Sequence, residues 1–123
     1  MNVLIIENSK ILKERYTRLL SSINSIEMLT LSALTDQSFD FIKNLNPEVI
    51  IIAQELVTSI KINLIQKIKE NNSKTIIISL CSKPFPQINE KYKEFGADYI
   101  LDKSTEFNKL SEIFKELNSK YTN

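Results

Sequence analysis

The 123-residue chain contains no histidine and no tryptophan, one cysteine (Cys81) and one glycine (Gly96). Without histidine there is no Ser-His or Cys-His catalytic couple, no His-ligated zinc and no phosphohistidine. A single cysteine excludes an intramolecular disulfide and any multi-cysteine metal site. A single glycine excludes a glycine-rich phosphate loop. Long apolar runs are missing too: the longest, Val49–Ala53, falls far short of the roughly 18 residues that span a bilayer. The N-terminal Val3-Leu4-Ile5-Ile6 meets a charge at Glu7, too early for a signal peptide, so a cytoplasmic location is expected. Nor is there an excess of either charge. Sixteen Lys+Arg oppose 15 Asp+Glu, for a net charge of +1. The signs interleave, as across Lys67–Glu70 and Glu90–Glu94, so neither nucleic acid nor a membrane is expected as a partner.

What is present suits a folded domain. Hydrophobic residues make up 42% and charged residues 25%, ordinary values for a globular chain, and the length fits one domain over 1–123. β-rich runs at Val3–Ile6, Glu27–Leu31, Val49–Ala53, Thr75–Leu80 and Asp98–Leu101 alternate with helix-period segments. Several of these runs are continuously apolar and β-branched, the pattern of strands covered on both faces.

Ser9 is placed to cap a first helix with Leu12, Tyr16, Leu19 and Leu20 facing in. Thr35 or Asp36 opens a second, with Phe39 and Ile42 inward. Leu64, Ile65 and Ile68 mark a third, ending near Asn71-Asn72. A fourth begins around Pro84–Pro86 and closes at Gly96. Ser104 or Thr105 caps a fifth, whose stripe is Phe107, Leu110, Ile113, Phe114 and Leu117. Five βα units joined by short connections predict an α/β fold: a doubly wound parallel sheet with helices on both faces. Ligands in such folds sit outside the carboxyl ends of the strands. Here those ends are Glu7-Asn8, Ala53-Gln54, Cys81-Ser82 and Lys103.

Three segments carry a resemblance: VLIIENS (Val3–Ser9), NPEVIIIA (Asn46–Ala53) and, most specifically, GADYILDKSTEF (Gly96–Phe107). With them the chain resembles a response-regulator receiver domain, the CheY-like, flavodoxin-like (βα)5 module of two-component phosphorelay signalling. The resemblance spans essentially the whole chain and implies strand order 2-1-3-4-5. Receivers take a phosphoryl group from a histidine kinase onto an aspartate. An acidic pair holds Mg²⁺, because a hard cation prefers carboxylate oxygens, and a Ser/Thr hydroxyl and a lysine bind the phosphoryl oxygens. Matched residue by residue, the acidic pair falls on Glu7 and Asn8, the phosphoacceptor on Ala53 and the lysine on Lys103. The Ser/Thr position falls on Cys81, or on Ser79 after a two-residue shift. The switch-aromatic position is Ile100, and the Pro- and Gly-containing loop after the acceptor is replaced by Gln54–Ser59. Alanine has no oxygen to phosphorylate. The resemblance therefore implies a degenerate member, a pseudo-receiver with a vestigial phosphorylation pocket at Glu7, Asn8, Ala53, Cys81 and Lys103.

Each of these residues also has a plainer reading. Lys103 is expected to pair with Glu7 across the strand ends rather than bind an anion. Asn8 suits the turn into the first helix without any ligand. Glu55 is expected in the loop, pointing away from Ala53. Cys81 is expected to be a buried small hydrophobe and not a redox thiol. Asp98 and Asp102 suit turn and helix-end backbone groups, while Tyr92 and Phe95 suit core packing. Glu7-Asn8-Ser9-Lys10 supplies little of a flavin phosphate loop, and nothing assembles a nucleophile, base and oxyanion donors. No enzyme activity, cofactor or metal is expected.

The function so implied is a stand-alone receiver-like domain, with no output domain before the chain ends at Asn123. It acts by phosphorylation-independent protein–protein interaction, with a protein partner or as a homodimer. The surface implied is the helix 4–strand 5–helix 5 face, about Pro84–Phe95, Tyr99–Leu101 and Thr105–Leu117. The alternative is a ligand-sensing domain in which Glu7, Asn8, Cys81 and Lys103 form a reshaped anion or small-molecule pocket.

Overall fold

The computed structural model describes residues 1–82 and 85–121. The ten elements alternate without exception: β1 (Asn2–Ile6), α1 (Lys10–Ser21), β2 (Glu27–Leu31), α2 (Ser38–Leu45), β3 (Val49–Ile52), α3 (Thr58–Asn71), β4 (Ile76–Cys81), α4 (Pro86–Phe95), β5 (Tyr99–Asp102) and α5 (Lys109–Tyr121). The strands form one parallel sheet in the order β2-β1-β3-β4-β5. This is the flavodoxin-like order that the resemblance implies.

The two-residue period of a strand splits the core into two layers. Val3, Ile5, Val49, Ile51, Ile78 and Leu80 face Tyr16, Leu20, Leu110 and Phe114 of α1 and α5. Leu4, Ile6, Ile50, Ile52, Ile77 and Cys81 face Ile42, Ile65, Ile68 and Tyr92 of α2, α3 and α4. Both faces of β3 are fully buried, which is why Val49-Ile50-Ile51-Ile52 has no polar alternation.

Local chemistry sets most boundaries. The Ser9 hydroxyl accepts a hydrogen bond from the Leu12 amide at 3.2 Å, capping α1 as expected. Pro86 starts α4, and Gly96 ends it at φ +129°, a conformation side chains resist. Pro84 lies outside the described residues.

Two helix starts differ from expectation. α2 begins at Ser38, because the Thr35 amide is taken by the Ser38 hydroxyl (2.7 Å) and the Gln37 amide by the Thr35 hydroxyl (3.3 Å). Phe39 is half-buried, whereas Ile42 is buried as expected. α5 begins at Lys109, and neither Ser104 nor Thr105 caps it. The Asp102 carboxylate instead accepts from the Ser104 and Thr105 amides (2.8 and 3.3 Å) and holds them in a turn. Phe107 still reaches the core from that turn, stacked at 5.0 Å on Tyr16 with the Arg15 guanidinium 4.2 Å above it.

Candidate functional site at the carboxyl ends of the strands

Parallel strands bring Glu7, Ala53, Cys81 and Lys103 to one end of the sheet, and register does the rest. The Ala53 amide donates to Ile6 O (2.9 Å) and the Lys103 amide to Cys81 O (2.8 Å). The four positions therefore sit at the ends of neighbouring strands.

Glu7 is the buried centre. Its side chain is 0% exposed, yet fully answered: Lys103 Nζ lies 2.9 Å from Oε1, and the Tyr16 hydroxyl donates to the same oxygen at 3.0 Å. The Ser9 amide approaches Oε2 at 3.4 Å. The ion pair expected between Glu7 and Lys103 is thus present. Lys103 Nζ also donates to the Ala53 carbonyl at 2.7 Å, tying β5 to β3 across the sheet. Burial, followed by the neighbouring Glu7 charge and its hydrogen bond, pushes the Tyr16 phenol well above its ordinary range. Tyr16 therefore serves as a neutral donor.

The Ala53 side chain is 0% exposed and packs in the α1/α5 layer. Asn8 is exposed on the turn, which suits its plainer reading, and Ile100 is half-buried in β5 against the α3/α4 layer. A divalent cation does not fit this arrangement. Glu7 supplies the only carboxylate at the three matched positions, and both of its oxygens are engaged. No cluster of three His, Cys, Asp or Glu among the described residues could hold a metal.

Glu55 lies in the loop after β3, as expected, and its carboxylate turns to β4, where it accepts from the Ser82 amide (3.0 Å) and hydroxyl (2.6 Å). Partial burial raises its pKa, yet the Ser82 hydrogen bonds and the nearby Lys103 and Lys61 charges prevail, leaving it below the ordinary carboxylate range. A loop with neither Pro nor Gly is fastened at this point.

On the opposite face of β4 lies a residue that sequence reasoning did not single out. Lys61, on α3, is 3% exposed. Its Nζ donates to Cys81 Sγ at 3.1 Å and sits 4.6 Å from the centre of the Tyr92 ring. Among the described residues no carboxylate pairs with it. Cys81 is buried as expected, with the Ser79 hydroxyl 3.5 Å from its sulfur. The signal was in the sequence: Lys61 stands three, four and seven residues before Leu64, Ile65 and Ile68, on the helix face they bury.

No protein-family model matches the chain, and no curated protein matches it in sequence. Solved structures do match. The signal receiver domain of a DNA-binding response regulator from Colwellia psychrerythraea 34H superposes with a TM-score of 0.80 at 19% identity, covering 97% of this chain and 98% of that one. An orphan response regulator of H. pylori gives 0.76 at 18% identity, covering 94% of each chain. A protein provisionally assigned to pilus assembly in Burkholderia thailandensis E264 gives 0.80 at 13% identity, over 97% and 98%. The chain has the receiver fold, and identities this low establish the fold alone.

Proposed function

We propose that the chain is a receiver-type signalling domain, of the two-component kind, that works without phosphorylation of its own. One observation carries the reading: the position matched to the phosphoacceptor is Ala53, a fully buried methyl group whose own carbonyl occupies Lys103, the lysine matched to phosphoryl binding. An aspartyl phosphate needs a carboxylate nucleophile, a cation to bridge it and a lysine free to meet its oxygens. Here the first is absent, Glu7 is spent on Lys103 and Tyr16, and Lys103 is spent on Glu7 and Ala53 O.

Output on this reading is by contact, through the face formed by α4, β5 and α5, with a protein partner or a second copy. β5 is an edge strand, and Glu90, Lys91, Lys93 and Glu94 of α4 are exposed beside it. That mixed-charge surface suits a protein better than nucleic acid.

The test is an amide-shift titration with Mg²⁺ and then beryllofluoride, an aspartyl-phosphate mimic, with sedimentation of the same samples. Amides at Glu7, Ala53 and Lys103 should not move, and the association state should be the same with and without the additives. Saturable movement at those three positions would overturn the reading.

A further inference from the structure

A cavity of about 260 Å³ opens between the loop after β3, the end of β4 and the start of α4. Lys61, Cys81 and Tyr92 line it, and Leu56, Phe85 and Ile88 supply apolar wall. The buried ammonium decides its chemistry. It has three N–H donors, and its partners among the described residues are one thiol sulfur and one ring face. A thiol is a weak acceptor, and a ring face offsets only part of an ammonium's lost hydration. A cation 3% exposed, with no carboxylate in ion-pair contact among the described residues and only the longer-range attraction of Glu55, is less fully compensated than buried charges ordinarily are. Lys103 presents the opposite case, since its charge is already met by Glu7.

From this geometry we infer that the cavity is a binding site for a small organic monocarboxylate, its carboxylate on Lys61 and its apolar part against Leu56, Ile88 and Tyr92. Three features select that class. One buried ammonium matches one negative charge. The apolar wall rewards a hydrocarbon body that an inorganic anion lacks. Glu55, at the rim, stays ionised and repels a second negative charge. The volume admits a ligand about the size of benzoate, below the drug-sized range. This site shares only Cys81 with an anion pocket built on Glu7, Asn8, Cys81 and Lys103, and it stands whether or not the domain's output is protein contact.

Cys81 provides a local readout, because it lines the cavity and is the only thiol in the chain. The experiment measures the rate at which iodoacetamide alkylates Cys81, by intact mass, against increasing benzoate, benzyl alcohol or inorganic phosphate. Backbone amide shifts at Thr58 and Ile88 are recorded on the same samples. Benzoate should slow alkylation saturably and move both amides. The neutral benzyl alcohol should bind about tenfold or more weaker, the usual effect of losing a charge-assisted hydrogen bond. Lys61→Met, which keeps the volume and removes the charge, should weaken benzoate by the same factor. The benzyl alcohol arm needs no substitution, so the inference is tested even if that variant folds poorly. Equal binding of benzoate and benzyl alcohol, protection by phosphate as strong as by benzoate, or no protection by benzoate at millimolar concentration each overturns it.

Discussion

Removing Lys103 asks how much the buried pair at the strand ends contributes to stability. In Lys103→Met the Glu7 carboxylate, 0% exposed, keeps the Tyr16 hydroxyl and the Ser9 amide but loses its countercharge, and the Ala53 carbonyl loses its lysine donor. An exposed ion pair is worth about 0–1 kcal/mol, whereas breaking a buried one costs about 3–5 kcal/mol, because the stranded charge stays desolvated. Lys103 is itself 13% exposed and two hydrogen bonds to Glu7 survive, so the lower end, about 3 kcal/mol, is expected. A domain of this length has a stability of roughly 6–18 kcal/mol, so the loss is measurable without unfolding the chain. Urea unfolding of the wild type, Lys103→Met, Glu7→Gln and the double variant gives a complete cycle. The double variant should be more stable than the sum of the single losses predicts, by about 1.5 kcal/mol or more, since its second change removes the charge that the first one strands. A Lys103→Met loss under about 1 kcal/mol, or additivity within about 0.5 kcal/mol, would show that solvent screens the pair and refute the reasoning.

Lys61→Met should have the opposite sign, between neutral and about 2 kcal/mol stabilising in the same urea assay, because it exchanges a buried, carboxylate-free cation for an apolar chain of similar length; a loss above about 1 kcal/mol would contradict this. Gly96→Ala should cost about 1–3 kcal/mol by thermal or urea unfolding, since Gly96 sits at φ +129° and an added Cβ would lie 2.6 Å from Lys69 Cγ. That contact also disturbs the Lys69 ammonium, which holds Thr75 O (2.7 Å) and the Asp98 carboxylate (2.9 Å). The Asp102 pKa is held below its ordinary value, chiefly by the Ser104 amide. A depressed folded-state pKa contributes stability above the ordinary carboxylate pKa and loses it as pH falls through the folded one. Amide exchange at Ser104 and Thr105, corrected for the intrinsic pH dependence, should therefore accelerate relative to the rest of the sheet on acidification through that range.

Most of the architecture was legible because its causes are local or periodic. Val49-Ile50-Ile51-Ile52 is a doubly buried strand, and only the centre of a parallel sheet demands one. Ser9, Pro86 and Gly96 mark helix ends through their own backbone chemistry. The start of α5 was not legible in the same way. Ser104 and Thr105 are both good caps, and what displaced the helix to Lys109 is competition: the Asp102 carboxylate captures their amides first, and the Glu106 side chain accepts from the Asp102 amide at 2.9 Å. Which of several competent side chains claims an amide depends on three-dimensional geometry that spacing does not encode. The position of Glu55 is a similar case, fixed by Ser82 27 residues away in sequence.

Lys103 and Lys61 show where reading by resemblance leads and where it stops. Lys103 stands in a segment that matches a known pattern, so it drew attention, and the structure finds it neutralised by Glu7 and tied to Ala53 O. Lys61 belongs to no such pattern, although its place on the Leu64-Ile65-Ile68 face already points it into the core. What separates the two side chains for binding is which acceptors the neighbouring strand ends offer. β1 offers Lys103 a carboxylate, and the pair closes on itself. β4 offers Lys61 a thiol, and its ammonium lines the cavity. On the proposed reading, binding at this end of the sheet therefore falls to the α3/α4 side, at the lysine that no carboxylate contacts among the described residues.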